Sequence, residues 1–195
     1  MIEKINLGEH ITIYKTKYDK SFTKEEFLKR VEQNYIINEG VTDDNTSLIK
    51  FECKEFNSIY IQSLNVIKSL CNIGDDWDGA HLHTNWIYRQ NKNSTIQNYH
   101  LHTYTHTKAK ILNNWSYCFY LSIPKNTKNT EGCIMFMDKN NNEYPILPEE
   151  GDIIFFTNNT LHSPSLTPNS DEYRISICGN ISFNVPQIKN IKSTI

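Results

Sequence analysis

No apolar run in these 195 residues approaches the ~20 needed to cross a bilayer, so no membrane partner is expected. The first ten residues, MIEKINLGEH, carry acids and lack the apolar segment of a secretory signal; the cytoplasm is the expected location. An excess of one charge is missing too. Twenty Lys and Arg against 22 Asp and Glu leave a net −2, with no basic footprint for nucleic acid and no polybasic membrane patch. The five cysteines, Cys53, Cys71, Cys118, Cys133 and Cys178, form no CxxC pair. They are odd in number, and three lie inside apolar strand patterns, so they read as buried free thiols in a reducing compartment. Internal repeats and low-complexity stretches are absent. At this length one domain with one sizeable core is expected. The residues do not fix the oligomeric state; a homodimer is compatible with them.

Helical patterns are confined to the first third of the chain. Thr23 to Glu26 fits a capping box, and Phe27, Leu28, Val31 and Tyr35 then share one face, predicting a helix to about Ile37. Phe56, Tyr60, Leu64, Ile67 and Cys71 recur at three-to-four spacing and predict a second helix over Glu55 to Cys71, although Ser58 to Gln62 also fits a strand. Ile11 to Tyr14 reads as a short strand, Asn38 to Ser47 as a loop, and Gly74-Asp75-Asp76 as a breaker. After that the texture changes. Trp86 to Arg89, Gln97 to Tyr104, Trp115 to Ile123, Cys133 to Asp138, Asp152 to Phe156 and Arg174 to Phe183 are short β-rich runs separated by polar turns. Such a series argues for a β-sandwich or barrel with helices packed outside it, not for alternating βαβ units. The expectation is a single domain over 1–195, with residues 1–80 as a supporting helical region and 84–184 as a mainly β core.

Seven histidines are present, five of them between residues 81 and 106. The sharpest pattern is Tyr99-His100-Leu101-His102. In extended backbone, residues i and i+2 point to one face, so His100 and His102 can address one ion, with His162 arriving from a later strand. Neutral imidazoles suit iron, zinc, copper or nickel. His81-Leu82-His83 is a second His-x-His, read as a loop feature near the barrel mouth. His106 shares the face of His102 if the strand runs that far, which leaves the third ligand open between the two. His10 has no companion and reads as surface.

The stretch Gly151 to Asn180 carries the other half of the pattern. Gly151-Asp152 opens the apolar run Ile153-Ile154-Phe155-Phe156, His162 follows a polar turn, and Arg174-Ile175-Ser176 lies twelve residues on. A planar guanidinium grips a carboxylate with two hydrogen bonds, and a hydroxyl two residues along the same strand face adds a third. Arg174 and Ser176 therefore suit the far carboxylate of a dicarboxylate held next to a metal.

In this order and spacing the pieces resemble the 2-oxoglutarate/Fe(II)-dependent oxygenases, and most closely the small phage and bacterial oxygenases related to prolyl hydroxylases. The resemblance covers about Thr84 to Asn184. It rests on Trp86, His100-Leu101-His102, Phe119-Tyr120-Leu121, Glu131 to Phe136, Gly151-Asp152, His162, and Arg174-Ile175-Ser176 with Asn180. It implies a double-stranded β-helix (jelly-roll, cupin-like) core. It also implies Fe(II) held by His100, His102 and His162, with O2 and 2-oxoglutarate as cosubstrates. Arg174, Ser176 and Tyr120 would hold the 2-oxoglutarate C5 carboxylate, with Tyr88 a candidate wall of that pocket. The implied reaction hydroxylates a protein side chain, an amino acid or a small metabolite and releases succinate and CO2. Trp115, Tyr117, Phe119, Phe136 and Phe156 are candidate apolar walls or plain core. Two departures stand out: His102 occupies the place where the superfamily usually has a carboxylate, and the segment from Thr103 to Asn114 is long enough for a lid. Two rival readings keep the fold and drop the chemistry. One is a cupin-type metalloprotein, a three-histidine dioxygenase or isomerase that does not use 2-oxoglutarate. The other is a jelly-roll binding module with an incidental histidine cluster.

Overall fold

The computed structural model describes residues 1–19, 23–36, 46–48, 53–74, 81–94, 97–102, 111–125, 131–164 and 170–184. In chain order the elements are β1 (Glu3–Leu7), β2 (Ile11–Lys17), α1 (Lys24–Ile36), β3 (Thr46–Leu48), α2 (Lys54–Leu70), β4 (His81–Gln90), β5 (Ile111–Ser122), β6 (Ile134–Met137), β7 (Glu143–Ile146), β8 (Asp152–Thr157), β9 (Leu161–Pro164) and β10 (Arg174–Asn184). Two antiparallel sheets result. The larger has the order β1-β2-β8-β5-β10-β4-β3, and the smaller has the order β7-β6-β9.

Residues 97–102 complete the smaller sheet. They form no regular strand, against the expectation of one over Gln97 to Tyr104, but His100 bridges His162 in antiparallel fashion. The segment thus serves as a rudimentary fourth strand beside β9. Four strands, β4, β5, β8 and β10, then face four others, which is the jelly-roll arrangement. Strand β4 begins at His81, so the His81-Leu82-His83 pattern is paired strand, opposite Phe183, Ser182 and Ile181, and not a loop. Thr46 to Leu48 likewise joins the large sheet opposite Tyr88 to Trp86, so Thr46 and Ser47, the end of the expected loop, are strand. His106 and residues 103–110 of the candidate lid lie outside the described residues, whereas the last four residues of that segment, Ile111 to Asn114, open strand β5 and are not lid.

Alternation along β5, β8 and β10 separates two cores. Trp115, Tyr117 and Phe119 face outward with Ile153, Phe155, Ile175 and Ile177, and the helices cover them through Phe27, Val31, Phe56, Ile59 and Ile67. Those three aromatics are therefore helix-side core and not walls of the barrel interior. Phe27 on α1 anchors this layer, 5.4 Å from the Phe56 ring and 6.4 Å from the Phe119 ring. An ion pair of 3.0 Å from Arg30 to the buried Glu55 ties α1 to α2. The inward positions, Cys118, Tyr120, Ile154, Phe156 and Cys178, meet Tyr88, Ile134 and Phe136 to form the barrel interior. No helix among the described residues is long and apolar enough to cross a membrane.

Gly151 starts β8 with φ +85°. Its N–H donates to the Tyr120 carbonyl and its carbonyl accepts from the Tyr18 N–H, each at 2.8 Å. A Cβ there would meet nothing within 4 Å, so the demand for glycine comes from the backbone alone. Gly151→Ala is expected to cost ~1–2 kcal/mol in urea unfolding; a loss below about 0.5 kcal/mol would mean the turn relaxes freely.

Candidate metal centre

Backbone pairing brings the three candidate ligands together. The His100 N–H donates to the His162 carbonyl at 2.9 Å, and the His162 N–H returns the bond at 3.2 Å. The His102 N–H donates to the Asn158 carbonyl at 3.1 Å, and the Ser163 hydroxyl donates to the Gln97 carbonyl at 2.6 Å. The irregular segment is thereby fastened at four points, three on β9 and one on the turn before it. Imidazole centroids lie 5.2 Å apart for His100 and His102, 4.5 Å for His100 and His162, and 4.7 Å for His102 and His162. One nitrogen from each ring falls within 4.8 Å of the others. Nitrogens ~2.1 Å from a shared ion sit ~3–4 Å apart, so the rings need close only by an ångström or two.

The hydrogen bonds decide which nitrogens are available. His100 Nδ1 donates to the Asn98 carbonyl at 2.9 Å and His162 Nδ1 to the Thr160 carbonyl at 2.8 Å. His102 Nδ1 faces Asn180 Oδ1 at 2.8 Å and Ser116 Oγ at 2.9 Å. Ser116 in turn donates to Asn158 Oδ1 at 2.7 Å. With every Nδ1 carrying its proton toward an oxygen, all three Nε2 atoms keep a lone pair, the form a metal ligand needs. Burial, together with His102 and His100 nearby, pushes the His162 pKa down to about 3. Burial also lowers that of His102. As a donor set, three imidazole nitrogens fit Fe(II) or another first-row ion and do not fit Mg or Ca.

Away from the histidines, the inner face of the large sheet forms a ladder. Asn180 pairs across to Ser116 and Thr84, Cys178 to Cys118 and Trp86, Ser176 to Tyr120 and Tyr88, and Arg174 to Gln90. A cavity of about 50 Å³ runs beside this ladder, lined at one end by His100, His102 and His162 and at the other by Arg174, with Tyr88, Tyr120, Ser176, Cys118 and Cys178 between. A single water needs only ~10–15 Å³ of such space. All seven residues singled out in the sequence therefore border one cavity. Phe156 and Phe136, the two candidate walls that do face inward, pack against His162 at 4.5 and 6.5 Å between ring centres.

Arg174 is 2% exposed. It donates to the Cys133 carbonyl at 2.8 Å and to Gln90 Oε1 at 2.7 Å, while its Nε has no partner. Among the described residues no carboxylate pairs with it. A buried charge normally requires one; here both partners are neutral, so the guanidinium keeps its full charge for an anion. Burial holds the Tyr120 phenol well above its usual pKa, with Arg174 opposing the shift, so it faces the cavity as a neutral hydroxyl.

Sequence reasoning missed Ser116, Asn158 and Gln90. The signal for Ser116 and Gln90 was strand alternation, since each shares a face with an identified residue, Tyr120 and Tyr88 respectively. Asn158 sits in a polar turn where no period applies. Cys118, Cys133 and Cys178 are buried free thiols as expected, while Cys53 and Cys71 are half-buried. His10 is exposed, 3.7 Å from Glu9.

No protein-family model matches the sequence, and no curated protein sequence matches it. Solved structures share its fold. The 2-oxoglutarate complex of a viral collagen prolyl hydroxylase from Paramecium Bursaria Chlorella virus-1 aligns at a TM-score of 0.60 and 16% identity, over 90% of this chain and 97% of that one. AviO1 from Streptomyces viridochromogenes Tue57 aligns at 0.60 and 12%, over 90% of each chain. A Pseudomonas putida prolyl-4-hydroxylase aligns at 0.59 and 10%, over 89% of this chain and 92% of that one. The chain has a 2-oxoglutarate/Fe(II) oxygenase-like jelly-roll fold.

Two measurements probe the site itself. Asn180→Leu leaves the His102 Nδ1 proton without its closest acceptor and is expected to weaken Co(II) or Fe(II) binding by about 10–100-fold; unchanged affinity in a titration would remove Asn180 from the support of the ligand. The second concerns pH. The unfolded chain takes up protons below the ordinary histidine value of about 6.5, whereas folded His162 resists protonation down to about 3. Metal-free stability should therefore fall as pH drops through that window. His162 alone accounts for a loss of about 2 kcal/mol between pH 6.5 and 5. Urea unfolding at the two pH values should show a smaller loss for His162→Gln than for wild type.

Proposed function

We propose that this protein is a non-haem Fe(II)- and 2-oxoglutarate-dependent dioxygenase that hydroxylates a protein side chain, an amino acid or a small metabolite. One observation carries the reading: three convergent imidazoles and a buried guanidinium with no carboxylate partner among the described residues border opposite ends of the same cavity. Fe(II) held there would supply O2 activation, coupling the oxidative decarboxylation of 2-oxoglutarate to succinate and CO2 with substrate hydroxylation.

The chain's own residues bind, orient and exclude water. His100, His102 and His162 hold the ion through Nε2, each ring locked by its Nδ1 hydrogen bond. Arg174 takes the C5 carboxylate through the donors that Gln90 and Cys133 do not use, and the Ser176 and Tyr120 hydroxyls lie on the neighbouring rung of the ladder to add hydrogen bonds. Tyr88 packs with its ring 5.9 Å from the Arg174 guanidinium carbon. Trp86, Ile134 and Pro164 supply apolar lining, which strengthens the charge interactions inside. A carboxylate on Arg174 also answers the cost of burying that charge alone.

The test is an anaerobic titration with Fe(II) and 2-oxoglutarate, following the visible charge-transfer band of the chelate. Wild type should show the band and His162→Ala should abolish it. Arg174→Ala should weaken 2-oxoglutarate by about 2 kcal/mol, some thirtyfold. Iron binding with no band and no response to Arg174→Ala would sink the proposal in favour of a three-histidine cupin-type metalloprotein. Prolyl peptides belong in the first substrate screen, because two of the structural neighbours are described as prolyl hydroxylases.

A further inference from the structure

The cavity wall between the histidines and Arg174 holds two thiols that the proposed reaction does not use. Cys178 on β10 and Cys118 on β5 are direct cross-strand partners. Both are buried, at 6% and 9% exposure, both are free, and both line the cavity. Opposed residues of an antiparallel pair have Cα atoms ~4.5–5.5 Å apart, inside the ~4.4–6.8 Å that a disulfide spans. Ser176 Oγ contacts the Cys178 sulfur at 3.4 Å.

We propose that Cys118 and Cys178 are a modification site, forming a reversible disulfide across the cavity wall with hydrogen peroxide as the oxidant. Cys178 is the attacking group. Hydrogen bonds from Cys118 and Ser176, with Arg174 close by, draw its thiol below the ordinary range, and the bond to Cys178 together with burial pushes that of Cys118 well above it. The Cys178 thiolate attacks one peroxide oxygen; the O–O bond breaks, hydroxide leaves, and a sulfenic acid forms. The Cys118 sulfur then attacks the sulfenyl sulfur, the S–O bond breaks and the S–S bond forms. The two thiol protons leave with the two oxygens as water. Two thiols and one peroxide thus give one disulfide and two waters, with peroxide the species reduced. The inference does not depend on 2-oxoglutarate use; it needs only a peroxide molecule in the cavity.

The experiment treats the full chain with a few equivalents of hydrogen peroxide, blocks remaining thiols, and maps the digest by mass spectrometry without reductant. The expected result is a crosslink between the Cys118 and Cys178 peptides, a fall in free thiols from five to three per chain, and recovery with dithiothreitol. In Cys118→Ser the crosslink should vanish and Cys178 should stop at a sulfenic acid that dimedone traps. Five surviving thiols, crosslinks joining other cysteines, or Cys178 running on to sulfinic acid with Cys118 still free would each overturn the proposal. The wild-type map decides the question even if the serine variant does not fold.

Discussion

Two backbone hydrogen bonds between His100 and His162 hold the site together. They join residues sixty-two positions apart in the chain by the short, reciprocal pattern of an antiparallel pair. His102 falls on the same side as His100 because one residue separates them in extended backbone. The ligand set therefore depends on a register between β9 and an otherwise irregular segment. A slip of one residue would turn both histidines of the His-x-His away from His162. The Ser163 hydroxyl on the Gln97 carbonyl and the Asn158 carbonyl on the His102 N–H resist that slip from either side.

The same alternation organises the opposite wall. On β5 and β10 every second residue enters the barrel, so one strand pair delivers the support for His102 (Ser116, Asn180), the thiol pair (Cys118, Cys178) and the hydroxyls nearest Arg174 (Tyr120, Ser176) in successive rungs. The intervening residues, Tyr117, Phe119, Ile175 and Ile177, pack under the helices. Burial of that outer face against Phe27, Phe56 and Ile59 is what stiffens the sheet on which the site is built. Support and chemistry are thus divided by parity within the same two strands.

This division explains what could be read from the sequence. His100, His102, His162, Arg174 and Ser176 announced themselves through residue type and spacing. The strands β4, β5, β8 and β10 announced themselves through apolar runs. Trp115, Tyr117 and Phe119 could be read as cavity wall or plain core and are core, because an aromatic residue signals burial without saying on which side of a sheet. The segment over 97–102 misled for a different reason: its single bridge gives the right facing for its histidines without the ladder that a regular strand would have. Strands β1, β7 and β9 are four or five residues long, too short for alternation to stand out, and β7 includes Pro145. Ser116 shared a strand face with Tyr120 but carried no sign of its role, and Asn158 carried no local signature at all, since what they do exists only once β5, β10 and the turn before β9 are assembled.

Charge gives the site its sharpest asymmetry. A divalent ion on three neutral imidazoles would keep its +2, and Arg174 adds +1 in the same cavity, which no carboxylate of the described residues lines. A carboxylate in place of His102 would reduce the total by one. Like charges in a low-dielectric cavity repel, so on the proposed reading the ion and the guanidinium oppose each other until a dianion lies between them. Ion and 2-oxoglutarate should then each improve the other's binding by the same factor, because coupling between two ligands is reciprocal. The neutral Gln90 partner strengthens this coupling, since an acid at that position would discharge Arg174 and remove its share. On that reading a third histidine is not a passive substitute for a carboxylate: it would shift part of the metal's affinity from the protein onto the anion that accompanies it.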